Sequence, residues 1–437
     1  VILLAWLACA PSPDPTPPGP WLQTRLGPPP TTAAPAGARP VVLIVGCTVR
    51  ADQATPYGGP PGVTPFLAGL AAEGATFDDA IAAAPWTRPA ATALLTGRHA
   101  LSVGMADPAS TPDARVLPAS VGSLAEHLRE HGWTTIGVST NPNVHSRWGL
   151  DQGFVRWSEP VGTWTADGVK LPGTVAVAEV SSALADAAGE DHPVFLLVVL
   201  VDAHSPFEAD DADRAALADP TVPAEVVEYR AALRRFDARA GEVVAAARRA
   251  LRDPVIAVVS DHGEGLSFPT HHGRAHGRFL APSAVRELWI VAGPGVPAGV
   301  RVPGVASQLD VAPTLVALAG APAFPAEGVD RTSTVRGGPP VAPQLALVDT
   351  WFQEVDRAAV YGPEVACQAD FSGRPPSDGF VDGCFDRRAD PTHTLAFADP
   401  LADEIVRFRA ARESAAPAPA AEDDPGVDAQ LRALGYR

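Results

Sequence analysis

The residues able to do chemistry in this chain gather at a few points. Asp261-His262-Gly263-Glu264 directly follows the apolar run VIAVVS. A carboxylate and an imidazole at a strand end, with a glycine that lets the backbone turn, form half of a metal site. The competing reading is an aspartate capping the next turn beside a hydrogen-bonded histidine. Thr87 stands two residues before Pro89 in APWTRPAATALLTGRHA, where a loop leads into an apolar helix. A helix N-terminus offers free N–H groups and a positive dipole end, which favour an anionic ester and activate an oxygen nucleophile. Thr87 or Thr92 acting as a simple N-cap is the alternative. His204 in DAHSPF and His276 in HHGRAHGRF are placed to bind an anionic oxygen or to protonate a leaving group, or are structural histidines. His271, His272 and His276 also suggest zinc, but H-H-x-x-x-H off a helix is a weak zinc signal.

The elements that must position these residues follow from hydrophobic periodicity. PVVLIVGC (40–47) is a continuous β-branched run typical of a central parallel strand. WTTIGVST, PVFLLVVLVDAH, PVIAVVSDHGEG and LWIVAGPG read as further strands. TPFLAGLAAEG (64–74), VGSLAEHLREHG (121–132) and the stretch through EYRAALRRFDARAGEVVAAARRAL read as helices, the first two ending at glycine. Strands alternating with helices predict an α/β fold, a doubly wound sheet flanked by helices. Function in such sheets collects beyond the C-terminal strand ends, where Cys47-Thr48, Asp202 with His204, and Asp261-His262 stand. The expected organisation is a signal-like segment with a flexible Pro-rich tether over 1–39, an α/β domain over 40–345, and a smaller C-terminal α+β subdomain over 346–437. The last ends in a hinge and a short helix, VDAQLRALGYR.

With 437 residues, 46% of them apolar, the chain has material for a large core. Its net charge of −17 repels phosphate backbones, so no nucleic-acid partner is expected. Lys170 is the sole lysine, so any lysine-dependent step must use it. VILLAWLACAPSPDPTPPGP opens with an apolar run too short to span a bilayer but suited to a secretory signal. Cys9 after Leu7-Ala8 looks like a bacterial lipoprotein processing site, a plain cleaved signal being the alternative. Either predicts an exported protein, in the periplasm or as an outer-membrane lipoprotein, with membrane contact only through a lipid on Cys9. Of the other cysteines, Cys367 and Cys384 are the natural disulfide pair, which leaves Cys47 free.

Nine segments in order resemble the sulfatase-like branch of the alkaline phosphatase superfamily, from about residue 40 onward. They are VVLIVGCTVRADQATPYG, TPFLAGLAAEGATFDDAIAAAPWTRPAATALLTGRHA, SLAEHLREHGWTTIGVSTNPNV, LDQGFVRW, LVDAHSPF, VVSDHGEG, HGRAHGRFL, SQLDVAPTLVALAGAP and LRALGYR. The resemblance implies an alkaline-phosphatase-like, mostly parallel sheet and hydrolysis of sulfate or phosphate esters at a divalent metal. It places Asp261 and His262 as metal ligands, Thr87 as nucleophile, His204 on the substrate oxygen and His276 at the leaving group. Arg50 and Asp52 match a commonly charged stretch without a catalytic role.

The departures from the family pattern are as informative. Cys47 stands where an acidic ligand is usual, and Thr48 replaces a second aspartate. The nucleophile motif, usually Cys or Ser, any residue, Pro, Ser, Arg, reads Thr87, Arg88, Pro89, Ala90, Ala91. Threonine excludes the formylglycine route, and Arg88 is the cation left to compensate for Ala91. Lys170 is expected in a loop far from these segments. A thiolate with His262 and Asp261 favours zinc, whereas calcium or manganese would lean on oxygen; an inactive protein would hold no metal. Three functions therefore compete: a threonine-dependent hydrolase of a small-molecule, glycan or lipid anionic ester, a pseudoenzyme that keeps the pocket for binding, and a surface scaffold.

Overall fold

The computed structural model describes residues 22–105, 115–160, 170–189, 191–266, 276–373, 380–390, 393, 396–413 and 416–434. The first strands are β1 (Leu22–Leu26), β2 (Val41–Gly46), β3 (Ala75–Ile81), β4 (Thr134–Ser139) and β5 (Arg156–Pro160). They are followed by β6 (Val194–Leu200), β7 (Val255–Ser260), β8 (Arg286–Glu287), β9 (Trp289–Ala292) and β10 (Val300–Ser307). Among the described residues these form one sheet in the order β1-β5-β4-β6-β2-β7-β9-β3-β10, with β8 beside β3. The five central strands β5, β4, β6, β2 and β7 are parallel. β9 runs antiparallel to β7.

Covering this sheet are α1 (Pro65–Glu73), α2 (Thr87–Thr96), α3 (Leu124–Glu130), α4 (Gly173–Asp186), α5 (Asp211–Ala216) and α6 (Ala224–Ala250). Later come α7 (Pro282–Val285), α8 (Val311–Ala319) and α9 (Thr332–Val335). Side chains of β2 alternate between two cores, because successive strand residues point to opposite faces. Val41, Leu43 and Val45 join Leu94 of α2, Leu128 of α3 and Leu315 of α8. Val42 and Ile44 join Leu67 of α1, Val180 of α4 and Leu233 of α6. Both faces being covered explains why β2 is apolar at every position.

A second, antiparallel sheet holds β11 (Ala346–Thr350), β12 (Arg357–Tyr361), β13 (Val365–Asp370) and β14 (Gly383–Asp386) in that order. Cys367 lies opposite Cys384 in the β13–β14 register, and the two form the expected disulfide. Helix α10 (Ala402–Glu413) lays Ile405 against this sheet. Helix α11 (Pro425–Ala433) returns to the large sheet, where Val427 and Leu431 share the core of Leu43.

The segment read as a flexible tether needs a correction, since part of it is β1, antiparallel to β5 at the sheet edge. Leu22 packs against the cores on both faces of the sheet, and the rest of the strand is held by polar contacts: Gln23 Nε2 and Arg25 Nε donate to the buried Glu159 carboxylate at 2.7 and 2.9 Å. Hydrophobic periodicity could not reveal a strand fastened in this way. Residues 1–21, with Cys9, lie outside the described residues, as do His271 and His272. No helix among the described residues is long and apolar enough to cross a membrane.

Candidate active site

Because β4, β6, β2 and β7 are adjacent and parallel, the residues after them emerge at one edge: Asn141, Asp202 to His204, Cys47, and Asp261-His262. The chain turns sharply after Cys47, with Thr48 in the left-handed region at φ 58°. A β-branched residue pays for that conformation with strain, and three hydrogen bonds hold it there. The Thr48 N–H donates to Asp261 Oδ1 at 2.9 Å, its hydroxyl to the Cys47 carbonyl at 2.7 Å, and its own carbonyl accepts from the Tyr229 hydroxyl at 2.7 Å. Asp261 Oδ1 accepts a second N–H, from His262 at 2.7 Å. Glycine is required at 263, where a Cβ would come within 1.9 Å of the Ser283 carbonyl oxygen.

Thr87 is the first residue of α2 and does not cap it. Its Oγ1 lies 3.5 Å from Cys47 Sγ and 3.3 Å from His262 Nε2. Thr92 is no cap either, since its hydroxyl donates back to the Arg88 carbonyl at 2.9 Å. His262 Nδ1 donates to the Gly263 carbonyl at 2.7 Å, which leaves the lone pair on Nε2. Burial pushes the His262 pKa down to about 4 against the pull of Asp261. Burial and the Asp261 charge together push the Cys47 thiol well above its ordinary range.

His276 stands between the other two histidines, its ring centroid 4.6 Å from that of His262 and 5.1 Å from that of His204. Its Nδ1 meets the Glu264 carboxylate at 3.2 Å. Burial alone would raise the Glu264 pKa, but the charge and hydrogen bond of His276 outweigh it and hold the pKa at about 2. Burial, helped by His276, pushes His204 down to about 3, and its Nδ1 donates to the Ser205 carbonyl at 2.5 Å. Thr87, His204, His276, Asp261, His262 and Cys47 are thus brought together, and all are buried.

The profile of the sulfatase family matches residues 39–321, well over half of the chain. This chain belongs to the sulfatase family. Solved structures of the same fold include Ps i-CgsB in complex with k-i-k-neocarrahexaose, with a TM-score of 0.69 at 19% identity over 91% of this chain and 98% of that one. BT4656 in complex with D-glucosamine-2-N,6-O-disulfate gives 0.65 at 14% identity over 87% of this chain and 99% of that one. The phosphonate monoester hydrolase SpPMH from Silicibacter pomeroyi gives 0.62 at 17% identity over 86% and 96%. These likenesses establish the fold, a mostly parallel alkaline-phosphatase-like sheet with a small antiparallel one. No curated protein sequence gives a significant match.

Sulfatases bind a divalent metal, and the donors of this sulfatase fit a cation. One ligand atom each from Cys47, Asp261 and His262 lie within 4.8 Å of one another, all buried. Asp261 Oδ2 has no hydrogen-bond partner among the described residues and lies 3.4 Å from His262 Nε2. Donors about 2.0–2.3 Å from a tetrahedral ion stand roughly 3.3–3.7 Å apart, so that spacing suits shared coordination. A buried, unpaired carboxylate oxygen facing a lone pair is costly unless something cationic lies between them.

One residue at the site, Asn141, escaped sequence reasoning. Asn141 Nδ2 donates to Cys47 Sγ at 3.3 Å and Asn141 Oδ1 accepts from the Asn143 N–H at 2.8 Å. A polar residue directly after the β4 run was the signal available. Arg88 stacks its guanidinium 3.5 Å above Trp148 and donates to Asn143 Oδ1 at 2.9 Å. Ala91, at the position of the family arginine, lines a cavity of about 10 Å³ with Thr87, Val45 and Leu94. Arg50 pairs with Asp52 through two bonds, at 2.9 and 2.7 Å. Lys170 corrects the expectation of a distant loop: it is buried, and its ammonium reaches the carbonyls of Asp202 and His204.

Proposed function

We propose that this member of the sulfatase family hydrolyses a sulfate or phosphate (di)ester with Thr87 as nucleophile. A divalent cation, zinc by preference, is held by Cys47, Asp261 and His262, since a thiolate with an imidazole and one carboxylate suits a softer ion than calcium or magnesium. The observation that carries this reading is the Thr87 hydroxyl, 3.5 Å from Cys47 Sγ and 3.3 Å from His262 Nε2 at the first turn of α2. When bound, the cation lowers the pKa of a nearby hydroxyl and withdraws charge from an ester oxygen.

The chain's own residues supply the rest. Thr87 Oγ1, its proton released to solvent, attacks the central phosphorus or sulfur in line, forming one bond as the bond to the leaving alcohol oxygen breaks. His204, neutral and with its Nδ1 proton engaged by Ser205, has only a lone pair to offer at Nε2 and so orients an ester hydroxyl or water. His276, oriented by Glu264, gives the proton to the departing alkoxide. It then takes a proton from the water that attacks the Thr87 ester, and the Thr87 oxygen, released as the alkoxide in which it attacked, returns to the hydroxyl by taking a proton back from solvent.

Ps i-CgsB and BT4656 are each seen with a glycan or sugar ligand, which supports an anionic glycan ester as substrate. The N-terminal sequence supports export. The test is turnover of phosphodiester and sulfate-ester substrates with added zinc, manganese or calcium. Thr87→Ala should abolish turnover, and an unchanged rate removes Thr87 as nucleophile. One observation favours a second reading, an ester-binding protein without turnover: burial keeps the Cys47 thiol protonated. In that case the purified protein carries no metal, and Cys47→Asp gains both metal and activity.

A further inference from the structure

We propose that Lys170 is a positioning residue that fixes the Asp202–His204 turn and thereby sets the His204 imidazole opposite His276. It rests on the reading that His204 faces the ester oxygens. Lys170 is the sole lysine of the chain and is 3% exposed. Its ammonium donates to the Asp202 carbonyl at 3.0 Å and to the His204 carbonyl. The turn is closed from within by the His204 N–H on the Val201 carbonyl at 3.0 Å. Three residues on, the Gly173 N–H opening α4 donates to Asp202 Oδ1 at 3.3 Å. A Cβ at 173 would come within 2.5 Å of Asp202 Oδ2, so this approach requires glycine. Residues 170–173 thus grip the turn by its main chain and by its carboxylate.

Two carbonyl oxygens converging on one point repel each other unless a donor lies between them. An ammonium suits that place because its donors radiate from a single atom, whereas the planar fork of arginine spreads them apart. The gripped His204 carbonyl is one peptide away from the Ser205 carbonyl that accepts His204 Nδ1 at 2.5 Å. Releasing the first disturbs the second, and the ring loses the bond that fixes its tautomer and angle.

The experiment uses the full chain with ¹⁵N-labelled histidine, the His204 signal being assigned from His204→Ala, and orthovanadate as the oxyanion probe. In Lys170→Met the His204 Nδ1–H signal should shift or vanish, and vanadate affinity should fall about tenfold. Lys170→Arg should restore part of both. The double variant with His204→Ala should bind vanadate no more weakly than His204→Ala alone. An unchanged His204 signal in Lys170→Met, or losses that multiply in the double variant, would overturn the proposal. Should Lys170→Met fail to fold, Gly173→Ala, which keeps the lysine, must move the same signal, and its failure to do so is equally decisive against the proposal. A wild-type protein that neither turns over esters nor binds vanadate sinks the hydrolase reading, while the His204 signal still decides the role of Lys170.

Discussion

Replacing Cys47 by aspartate separates the thiol's effect on the site from everything else in it. The thiol pKa is pushed well above its ordinary 9.0, first by burial and then by Asp261. Ionising it at pH 7 therefore costs more than about 2.7 kcal/mol, two pH units at 1.36 kcal/mol each, and weakens cation binding at least about 100-fold. One proton leaves for each ion bound. His262, held at about 4, has already lost its own by pH 6.5. Zinc affinity of the wild-type protein should rise about tenfold per pH unit from 6.5 to 8.5. In Cys47→Asp that slope should disappear and the preference move toward manganese and calcium. The aspartate also brings a second carboxylate within about 4.8 Å of Asp261. At an effective dielectric of 20 the two charges repel by roughly 3.5 kcal/mol, so the metal-free variant should be less stable and manganese should restore it. Competition with a chromophoric chelator at pH 6.5, 7.5 and 8.5, and urea titration with and without metal, measure both effects. A wild-type affinity independent of pH, or a variant with the same slope, refutes the assignment of Cys47 as a ligand.

Glu264→Gln should lower kcat about 100-fold for esters of alkyl alcohols and much less for 4-nitrophenyl esters, whose leaving group needs no proton; equal losses would remove His276 as the acid. The metal-free protein should lose stability as pH falls below about 6.5, because His204 and His262 stay neutral down to about 3 and 4 when folded but take up protons at about 6.5 when unfolded. Between pH 7.5 and 5 each contributes a loss of about 2 kcal/mol in urea titrations, and a flat profile over that range contradicts the depressed values. Glu287 is fully buried and its carboxyl pKa is pushed well up, by burial first and by Asp261 after it, which favours the neutral form. Glu287→Gln should accordingly change stability by less than about 1 kcal/mol. A loss above about 3 kcal/mol would mean that the group is charged.

What the sequence made legible is what local chemistry determines. β2, β6 and β7 are unbroken apolar runs because helices cover both of their faces, and the polar residue that ends each run lies at the site for the same reason. Cys367 and Cys384 were readable as a pair because a short loop separates them. Lys170 was not, because its partners lie 32 and 34 residues further along and are main-chain carbonyls, which no residue type announces. β1 was hidden because only Leu22 of its five residues packs against the apolar cores, while Gln23 and Arg25 answer the buried Glu159. The antiparallel direction of β9 was equally invisible, since an apolar run such as WIVA does not encode its polarity. Asn141 occupied a strand end like the others, but an amide carries no chemistry that singles it out until Cys47 Sγ is seen 3.3 Å away.

The same contacts explain how the fold accommodates a thiol at the seat of a carboxylate. The carboxylates of the pocket are partly provided for: Asp261 Oδ1 takes two main-chain N–H groups, and Glu264 takes His276 and the Gly265 N–H, while Asp261 Oδ2 has no partner among the described residues. Position 47 is offered an amide at 3.3 Å and a hydroxyl at 3.5 Å, enough for a neutral sulfur but little for a buried anion. A neutral cysteine there adds no second anion to the metal-free site, whereas an aspartate would add one beside Asp261. The thiol therefore lowers cation affinity and, with it, the repulsion within the empty site. On the proposed mechanism, cation occupancy rather than folding decides whether the Thr87 hydroxyl is activated.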